Sequence, residues 1–198
     1  MNKFKKIAVI GKYPSLDESE DFHAQLIQLI HHLSQKNLEV IIEEKTQKKI
    51  NLNQFKSLSL KDIGPKVDVA IIVGGDGTML GVARMLVDSQ IPLIGVNRGR
   101  FGFLADLNID SMLAGIDTIL EGNFVQDDRM LIDTKIIRAN RVIYESLSLN
   151  DVVIKSGLKL IELEVVIDGN FVHTQRSDGI IVSTPTGTTA YALSAGGP

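Results

Sequence analysis

About the first 120 residues of the sequence alternate short apolar runs with segments of helical period. Four runs have the composition of buried strands, namely KKIAVIGK, LEVIIEE, VDVAIIV and IPLIGVN. Apolar residues recur at helical spacing between these runs, over 22–33, 78–88 and 109–122. Strands that alternate with helices are joined by right-handed crossovers, so the pattern predicts a mainly parallel sheet whose faces are covered by helices.

The pattern changes after Asn123, where strand-like runs follow one another between turn residues. The runs are RMLIDTKIIRA, RVIYESLSL, NDVVIKS, LKLIELEVVID, FVHTQ and DGIIVST, and Asp168-Gly169 is a strong hairpin signal. We therefore predict an α/β domain over 1–122 and an antiparallel β-sandwich domain over 123–198. The sequence stops at YALSAGGP without a closing strand, so we expect a β domain that is incomplete at its C-terminus and a chain cut from a longer protein.

Composition limits the classes of partner. The net charge is −3 and the basic residues are scattered, which argues against nucleic acid. The chain has no cysteine, and its four histidines lack metal-ligand spacing, so we predict no metal site made by its own side chains. No segment approaches the run of about 18 apolar residues that crosses a membrane, and no signal-peptide core is present. We therefore predict a cytoplasmic protein that binds no membrane.

The motif GGDGT, residues 74–78, follows the third apolar run within IIVGGDGTML. Its glycines allow backbone angles closed to other residues and let a ligand approach the main chain closely. We expect Thr78 to cap a helix whose N-terminal N–H groups favour an anion such as phosphate. Asp76 would repel phosphate unless Mg²⁺ or a hydroxyl lies between them, and a carboxylate can orient an acceptor hydroxyl and take its proton.

Other interpretations of this motif stay open. GGDGT is also compatible with a tight strand-to-helix turn in which Asp76 is only a cap. The phosphate motifs GxxxxGK[ST] and GxGxxG are absent, which argues against a Walker ATPase and an ordinary Rossmann dehydrogenase. The segment NRGRFGF, 97–103, follows the fourth strand and is expected at the same sheet edge. For Phe101 and Phe103 we favour a place in the core of a domain interface over stacking on a ligand. Arg98 and Arg100 could contact phosphates or lie in a solvated loop.

Two further segments are candidates for ligand contact. Asn150-Asp151 offers donors and acceptors that suit paired sugar hydroxyls, although the same pair is common in turns. The segment 175–198 packs many Ser and Thr hydroxyls around glycines, and we favour ligand binding there because a merely structural loop rarely carries so many. Arg176 and Asp178 lie at its start and are candidates for an ion pair with each other.

Taken together, these motifs resemble the NAD kinase family, and most closely its bacterial members. The resemblance rests on GGDGT at 74–78, NRGRFGF at 97–103, LND at 149–151 and RSDGIIVSTPTGTTAYALSAGGP at 176–198. It implies transfer of a terminal phosphate from ATP or polyphosphate to the 2′-hydroxyl of the adenosine ribose of NAD, giving NADP. It also implies a divalent metal, usually Mg²⁺, a homo-oligomer, and an α/β domain followed by a β-sandwich that continues past Pro198.

The resemblance assigns roles to individual residues. Asp76 would be the catalytic proton acceptor, and Gly74, Gly75, Gly77 and Thr78 would form the phosphate loop. The residues that would contact NAD are Asp76, Gly77, Asn150, Asp151, Lys159, Arg176, Asp178, Thr189, Ala190, Tyr191, Ala192, Leu193 and Ser194. Asp151 stands where many relatives have Glu, and the loop around Lys159 differs from theirs in length.

Two other functions stay open on the sequence alone. A lipid or sugar kinase can share the GGDG loop, but it would need an apolar acceptor groove or a basic cluster for a sugar phosphate. A nucleotide-binding module without catalysis is the second alternative, since part of the family's β domain is missing from this sequence.

Overall fold

The computed structural model describes residues 3–11, 20–97 and 102–197. The chain divides into two compact units, Met1–Gln126 and Asp127–Pro198. Assignment of separate functional domains to 1–122 and 123–198 stays a prediction. In the described ranges no helix combines the length and apolar character that crossing a bilayer requires.

The first unit is built on a six-stranded sheet in which every pair of neighbouring strands is parallel, so the predicted α/β class is confirmed. The strand order is β3-β2-β1-β4-β5-β6. The strands are β1 Lys6–Gly11, β2 Glu39–Glu43, β3 Lys56–Leu58, β4 Val69–Val73, β5 Leu93–Asn97 and β6 Leu107–Asn108. The four central strands, β2, β1, β4 and β5, match the four predicted apolar runs.

Helices cover both faces of this sheet. They are α1 Glu20–Ser34, α2 Glu44–Ile50, α3 Leu60–Ile63, α4 Asp76–Leu86 and α5 Met112–Leu120. Ile7 and Val9 of β1 pack on one face with buried residues of α1 and α5. Ala8 and Ile10 alternate with them and pack on the other face with Val82 and Leu86 of α4 and Ile63 of α3. Because successive side chains of a strand point to opposite faces, one apolar run supplies both cores.

The second unit consists of antiparallel strand pairs, as the sequence predicts. β7 Ile132–Arg138 pairs with β8 Arg141–Ser148, β9 Asp151–Lys155 with β12 Gly179–Ser183, and β10 Ile161–Ile167 with β11 Asn170–Ser177. The short helix α6, Tyr191–Ser194, follows β12. Asp168 and Gly169 join β10 to β11 with φ of 50° and 78°, which is the backbone that a two-residue hairpin turn requires.

The order of the parallel strands creates a topological switch point between β1 and β4. From β1 the chain moves to β2 on one side, whereas from β4 it moves to β5 on the other side. Gly11 and Val73, the last residues of β1 and β4, are partners in register. In open parallel sheets, ligands bind outside the carboxyl ends of the strands at such a point. The motif GGDGT begins there, directly after Val73.

Candidate active site

GGDGT forms the connection from β4 into α4. The helix begins at Asp76 with Gly75 as its N-cap residue, at φ −97° and ψ −178°. Thr78 lies inside the first turn, where its backbone N–H donates to the carbonyl of Gly75 at 2.9 Å. The prediction that Thr78 caps the helix is therefore wrong, because the helix begins three residues earlier than a cap at Thr78 requires. The N-terminus of this eleven-residue helix faces the switch point.

The three glycines of this loop have two different roles. None of them has a positive φ, so this loop does not use the left-handed backbone angles that glycine allows. A Cβ on Gly74 would lie 2.7 Å from Oγ1 and 2.9 Å from Cβ of Thr78, so Gly74 is required by packing within the loop. A Cβ on Gly75 or Gly77 would meet nothing within 4 Å. These two glycines therefore leave open space beside the start of α4.

The carboxylate of Asp76 is held by the backbone of the segment that follows β5. Its Oδ2 accepts the N–H of Phe103 at 2.9 Å, and its Oδ1 accepts the N–H of Leu104 at 3.2 Å. A Cβ on Gly102 would lie 2.1 Å from Oδ1 of Asp76. The expectation that the end of NRGRFGF meets GGDGT at one sheet edge is confirmed for Gly102 and Phe103. Phe103 is 70% exposed, and its place in a domain interface stays a prediction.

The rest of that motif is not fully described. Arg98, Arg100 and Phe101, for which phosphate contact and a core role were considered, lie outside the described residues. Asn97 is the last residue of β5.

The segment that holds Asp76 is itself fixed to β5 at a second point. The N–H of Asp106 donates to the carbonyl of Gly95 at 2.9 Å, and the N–H of Gly95 donates to Oδ2 of Asp106 at 3.0 Å. A Cβ on Gly95 would lie 2.8 Å from Cα of Ala105, so only glycine allows this approach. The loop after β5 therefore lies tightly against its own strand and carries Phe103 and Leu104 to Asp76.

A buried polar chain that the sequence analysis missed lies at the end of β1. Glu43 is 3% exposed, and its Oε2 accepts the N–H of Thr46 at 2.9 Å and the hydroxyl of Thr46 at 3.0 Å. The Thr46 hydroxyl oxygen in turn accepts the N–H of Gly11 at 3.0 Å. Glu43 is the N-cap of α2, but glutamate is not among the preferred N-cap residues, so no local sequence signal marks it. These residues fix the last residue of β1 at the switch point.

In the second unit, the loop after β12 crosses directly over the start of β9. The N–H of Thr184 donates to the carbonyl of Asn150 at 2.8 Å, and the hydroxyl of Thr184, a residue only 2% exposed, donates to the carbonyl of Leu149 at 2.5 Å. A Cβ on Gly187 would lie 2.0 Å from the carbonyl oxygen of Asn150. The motifs LND and TPTG, distant in sequence, are therefore one local structure.

The side chain of Asn150 has a buried oxygen, Oδ1, without a hydrogen-bond partner among the described residues. Its neighbour Asp151 is the first residue of β9 and pairs in register with Ser183 of β12. Because a buried acceptor without a donor is unfavourable, Asn150 has capacity for a hydrogen bond that this unit does not supply.

A cavity of about 700 Å³ lies in the second unit beside the β9–β12 pair. Three of the predicted NAD contacts line it, namely Asp178, Tyr191 and Ala192, and Ile154 and Ile180 supply apolar wall. Its volume is in the range of small-molecule sites. A wall that combines apolar side chains with one carboxylate suits a polar ligand that carries a flat ring.

The remaining predicted contacts lie outside this cavity wall. Lys159 is in the loop between β9 and β10, where its N–H donates to Oγ of Ser156 at 3.3 Å. Arg176 is on β11 opposite Glu162, and in the described ranges it forms no ion pair with Asp178. Thr189, Ala190, Leu193 and Ser194 belong to the turn and helix that include Tyr191 and Ala192.

Comparison with protein families matches both parts of the chain. Residues 18–124 match the ATP-NAD kinase N-terminal domain, and residues 149–198 match the ATP-NAD kinase C-terminal domain.

Curated relatives agree with these matches. The chain is 45% identical over 197 residues to the NAD kinase of Nitrosomonas eutropha, an alignment that covers 98% of this chain and 65% of that protein. It is 44% identical over 198 residues to the NAD kinase of an Azoarcus species, covering 98% of this chain and 66% of that protein. The chain therefore spans about 65% of the length of these relatives.

Solved structures of similar fold are also found. The crystal structure of yeast NADH kinase complexed with NADH superposes with a TM-score of 0.86 at 23% identity, over 100% of this chain and 62% of that one. An NAD kinase from Archaeoglobus fulgidus in complex with ATP superposes with a TM-score of 0.67 at 25% identity, over 98% of this chain and 66% of that one. The first likeness shows the fold alone. The family matches and the identity to the curated relatives confirm the resemblance inferred from the motifs, and the chain belongs to the ATP-NAD kinase family.

Proposed function

We propose that the protein represented by this chain is an NAD kinase, which transfers the terminal phosphate of ATP or polyphosphate to the 2′-hydroxyl of the adenosine ribose of NAD and releases NADP. The names of the relatives at 44–45% identity support this reaction, and the Archaeoglobus fulgidus relative in complex with ATP supports ATP as a donor. Activity, substrates and partners remain proposals because the chain spans about 65% of the relatives' length.

The observation that carries the proposal is the placement of Asp76. Its carboxylate lies at the N-terminus of α4 beside the switch point, held by two backbone N–H groups and next to the open space left by Gly75 and Gly77. A helix N-terminus favours phosphate, and a fixed carboxylate favours a hydroxyl donor. An acceptor hydroxyl beside a donor phosphate meets both preferences at once.

In the proposed reaction, Asp76 accepts the proton of the attacking hydroxyl. As the ribose oxygen bonds to the terminal phosphorus, its proton passes to the carboxylate of Asp76, while the bond from phosphorus to the leaving ADP oxygen breaks. Phosphoryl transfer passes through a loose transition state, so positioning and charge neutralisation contribute most of the catalysis. The N–H groups at the start of α4 are placed to meet phosphate charge, and the absence of side chains at Gly75 and Gly77 lets the phosphates approach them.

A divalent metal ion, by proposal Mg²⁺, would accompany the donor phosphates. Among the described residues no group of three or more His, Cys, Asp or Glu side chains is placed to hold a metal. The described residues would fit an ion held chiefly through phosphate oxygens and water, as Mg²⁺ often is, and Asp76 is the carboxylate of GGDGT that would help to hold it. When bound, the ion would neutralise part of the phosphate charge that would otherwise oppose Asp76.

The second unit is proposed to hold NAD. The unpartnered Oδ1 of Asn150 is an acceptor for a sugar hydroxyl, and Asp151 follows it at the start of β9. The cavity beside β9 and β12 would take a ring of the dinucleotide, with Asp178 and Tyr191 in its wall. Further contacts are proposed from Gly77, Lys159, Arg176, Thr189, Ala190, Ala192, Leu193 and Ser194. A homo-oligomer is proposed from the family resemblance, and a cytoplasmic location from the sequence composition.

The proposal is tested by incubating the full natural chain with NAD, ATP and Mg²⁺ and measuring NADP with an NADP-specific dehydrogenase. We expect NADP to accumulate, and EDTA to stop its formation. Calorimetric titration with NAD is the companion measurement. Binding of NAD without formation of NADP from ATP or polyphosphate would favour the non-catalytic nucleotide-binding module instead.

A further inference from the structure

The side chain of Asp76 is fixed by groups that belong to the loop after β5 and not to its own loop. A carboxylate in the first turn of a helix can rotate about two side-chain torsions. Here, consecutive backbone N–H groups, those of Phe103 and Leu104, each bond one of its oxygens. Because each oxygen accepts from a different donor, neither torsion can change without breaking a hydrogen bond. The carboxylate plane is therefore set by the loop.

Gly102 lacks a side chain for a reason that involves Asp76. The three described atoms nearest to a Cβ at this position are Oδ1, Cγ and Oδ2 of Asp76, at 2.1, 2.6 and 2.7 Å. Among the described residues, a methyl group at position 102 would therefore meet the carboxylate of Asp76 first.

The loop and the motif GGDGT are both hydrogen-bonded to β5. Asp106 bonds Gly95 of β5 through both its N–H and its carboxylate. The N–H of Gly74 donates to the carbonyl of Val96 at 2.9 Å, and Val96 pairs in register with Val73 of β4. The loop after β5 and the motif GGDGT are therefore both attached to the β4–β5 pair, which keeps the distance between them constant.

We propose that residues 102–104 are a positioning element for Asp76, in which Gly102 makes room for the carboxylate and the N–H groups of Phe103 and Leu104 aim it at the acceptor hydroxyl. This inference rests on the proposed function, because the proposed substrate supplies the acceptor hydroxyl at which the carboxylate is aimed. One N–H on each oxygen leaves each oxygen a further lone pair. The carboxylate can therefore receive the hydroxyl hydrogen without losing either bond to the loop, and it is oriented before substrate arrives.

A double-mutant cycle on the full natural chain tests the proposal. Gly102→Ala, Asp76→Ala and the double variant are compared by thermal unfolding. We expect Gly102→Ala to lower the melting temperature by about 5 °C in the wild-type background and by less than about 1 °C when Asp76 is already alanine. The matched control is Gly81→Ala, because a Cβ there meets nothing within 4 Å and the residue is exposed on α4. The control should not lower the melting temperature in either background.

Steady-state kinetics separate positioning from packing. We expect Gly102→Ala to lower kcat by about 10²-fold with the KM for ATP changed less than about twofold, because a displaced catalytic group slows chemistry without weakening donor binding. In the Asp76→Ala background the same substitution should cause no further loss. Equal losses of melting temperature in both backgrounds, or a double variant that does not fold, would overturn the inference.

Two outcomes distinguish this inference from the proposed function. A coupled melting-temperature cycle with unchanged kcat in Gly102→Ala would show the contact but refute its positioning role, leaving the proposed function intact. Wild-type protein that forms no NADP would instead refute the proposed function, and with it the catalytic part of this inference. The melting-temperature cycle would still decide whether Gly102 acts through Asp76.

Discussion

The hydroxyl oxygen of Thr46 lies 3.0 Å from the backbone nitrogen of Gly11 and joins the N-terminus of α2 to the last residue of β1. The same hydroxyl donates to the buried carboxylate of Glu43. Gly11 pairs with Val73, the residue that precedes GGDGT. A side chain outside every predicted motif thus holds the strand end next to the proposed phosphate loop.

Replacement of Thr46 by valine should therefore destabilise the protein. Valine keeps the shape but removes both hydroxyl bonds, leaving the Gly11 N–H unpaired and the buried Glu43 carboxylate with one donor fewer. We expect the free energy of unfolding in urea to fall by about 1–3 kcal/mol. Thr46→Ser retains the hydroxyl and should lose less than half as much. Equal losses in the two variants would show that the hydroxyl bonds do not dominate the contribution of Thr46 and would contradict this role.

Asp68 should make stability depend on pH at the opposite end of the sheet. Its Oδ2 accepts the N–H groups of Lys5 and Lys6 at 2.7 and 2.8 Å, and these backbone hydrogen bonds lower the pKa of its carboxyl below 3.8. A pKa lowered by folding stabilises the folded state above the unfolded pKa and loses that contribution as pH falls through the folded pKa. Asp68→Ala should therefore lower the melting temperature by a few degrees, about 3 °C, at pH 7.

The pH series supplies the control for Asp68. The difference between wild type and Asp68→Ala should shrink as the pH falls below about 3.8. Thermal unfolding at pH 7, 5 and 3 measures it. A difference that stays constant over this range would show that the contribution of Asp68 does not come from its charge.

The glycines of GGDGT should separate into two classes on substitution. Gly74→Ala places a methyl group 2.7 Å from Oγ1 of Thr78 and should lower stability by about 1–3 kcal/mol. Gly77→Ala meets no neighbour within 4 Å, so stability should be unchanged or slightly raised, while the methyl group obstructs the proposed ligand. Urea unfolding and NAD titration on both variants make the comparison. Normal NAD and ATP binding in a stable Gly77→Ala protein would refute a ligand beside this residue.

Asn150→Ala should weaken NAD binding without weakening the fold. The buried Oδ1 has no donor among the described residues, so its removal relieves an unfavourable burial in the free protein. The hydrogen bond proposed for the ligand is lost, and we expect the Kd for NAD to rise about 10-fold or more. Calorimetry measures the affinity and thermal unfolding the stability. A large stability loss with unchanged affinity would show that Asn150 is only part of the LND turn.

The strands that could be predicted are those with continuous apolar runs. β1, β2, β4 and β5 lie inside the sheet with both faces covered, so burial imposes apolar side chains throughout. The edge strands β3 and β6 have three and two residues, KSL and LN, and are only half-buried. Short edge strands bury too little to impose a pattern, so their sequences read as loop. Strand order, and with it the switch point between β1 and β4, is set by packing that no local pattern encodes.

The candidate site shows the same division. The motifs predicted that Asp76 belongs to the site and that GGDGT and the loop after β5 meet at the carboxyl ends of the strands. It could not predict the bonds to Phe103 and Leu104, because the donors are backbone N–H groups 27 and 28 residues away and any residue can supply them. The role expected for Thr78 was wrong because a local rule placed the cap after the glycines, whereas the helix begins at Asp76. The Glu43–Thr46 contact carried no capping signal either, because glutamate is not a preferred N-cap residue.

The most direct test of the central claim, that Asp76 accepts the proton of the attacking hydroxyl, is the turnover of Asp76→Asn. Asparagine keeps the size of the side chain, so we expect NAD to bind with nearly unchanged affinity. Its amide is, however, a far weaker base than the carboxylate. We expect kcat for NADP formation, at saturating NAD, ATP and Mg²⁺, to fall by about 10²–10⁴-fold or more. Near-normal turnover in this variant, with normal NAD binding, would contradict the account.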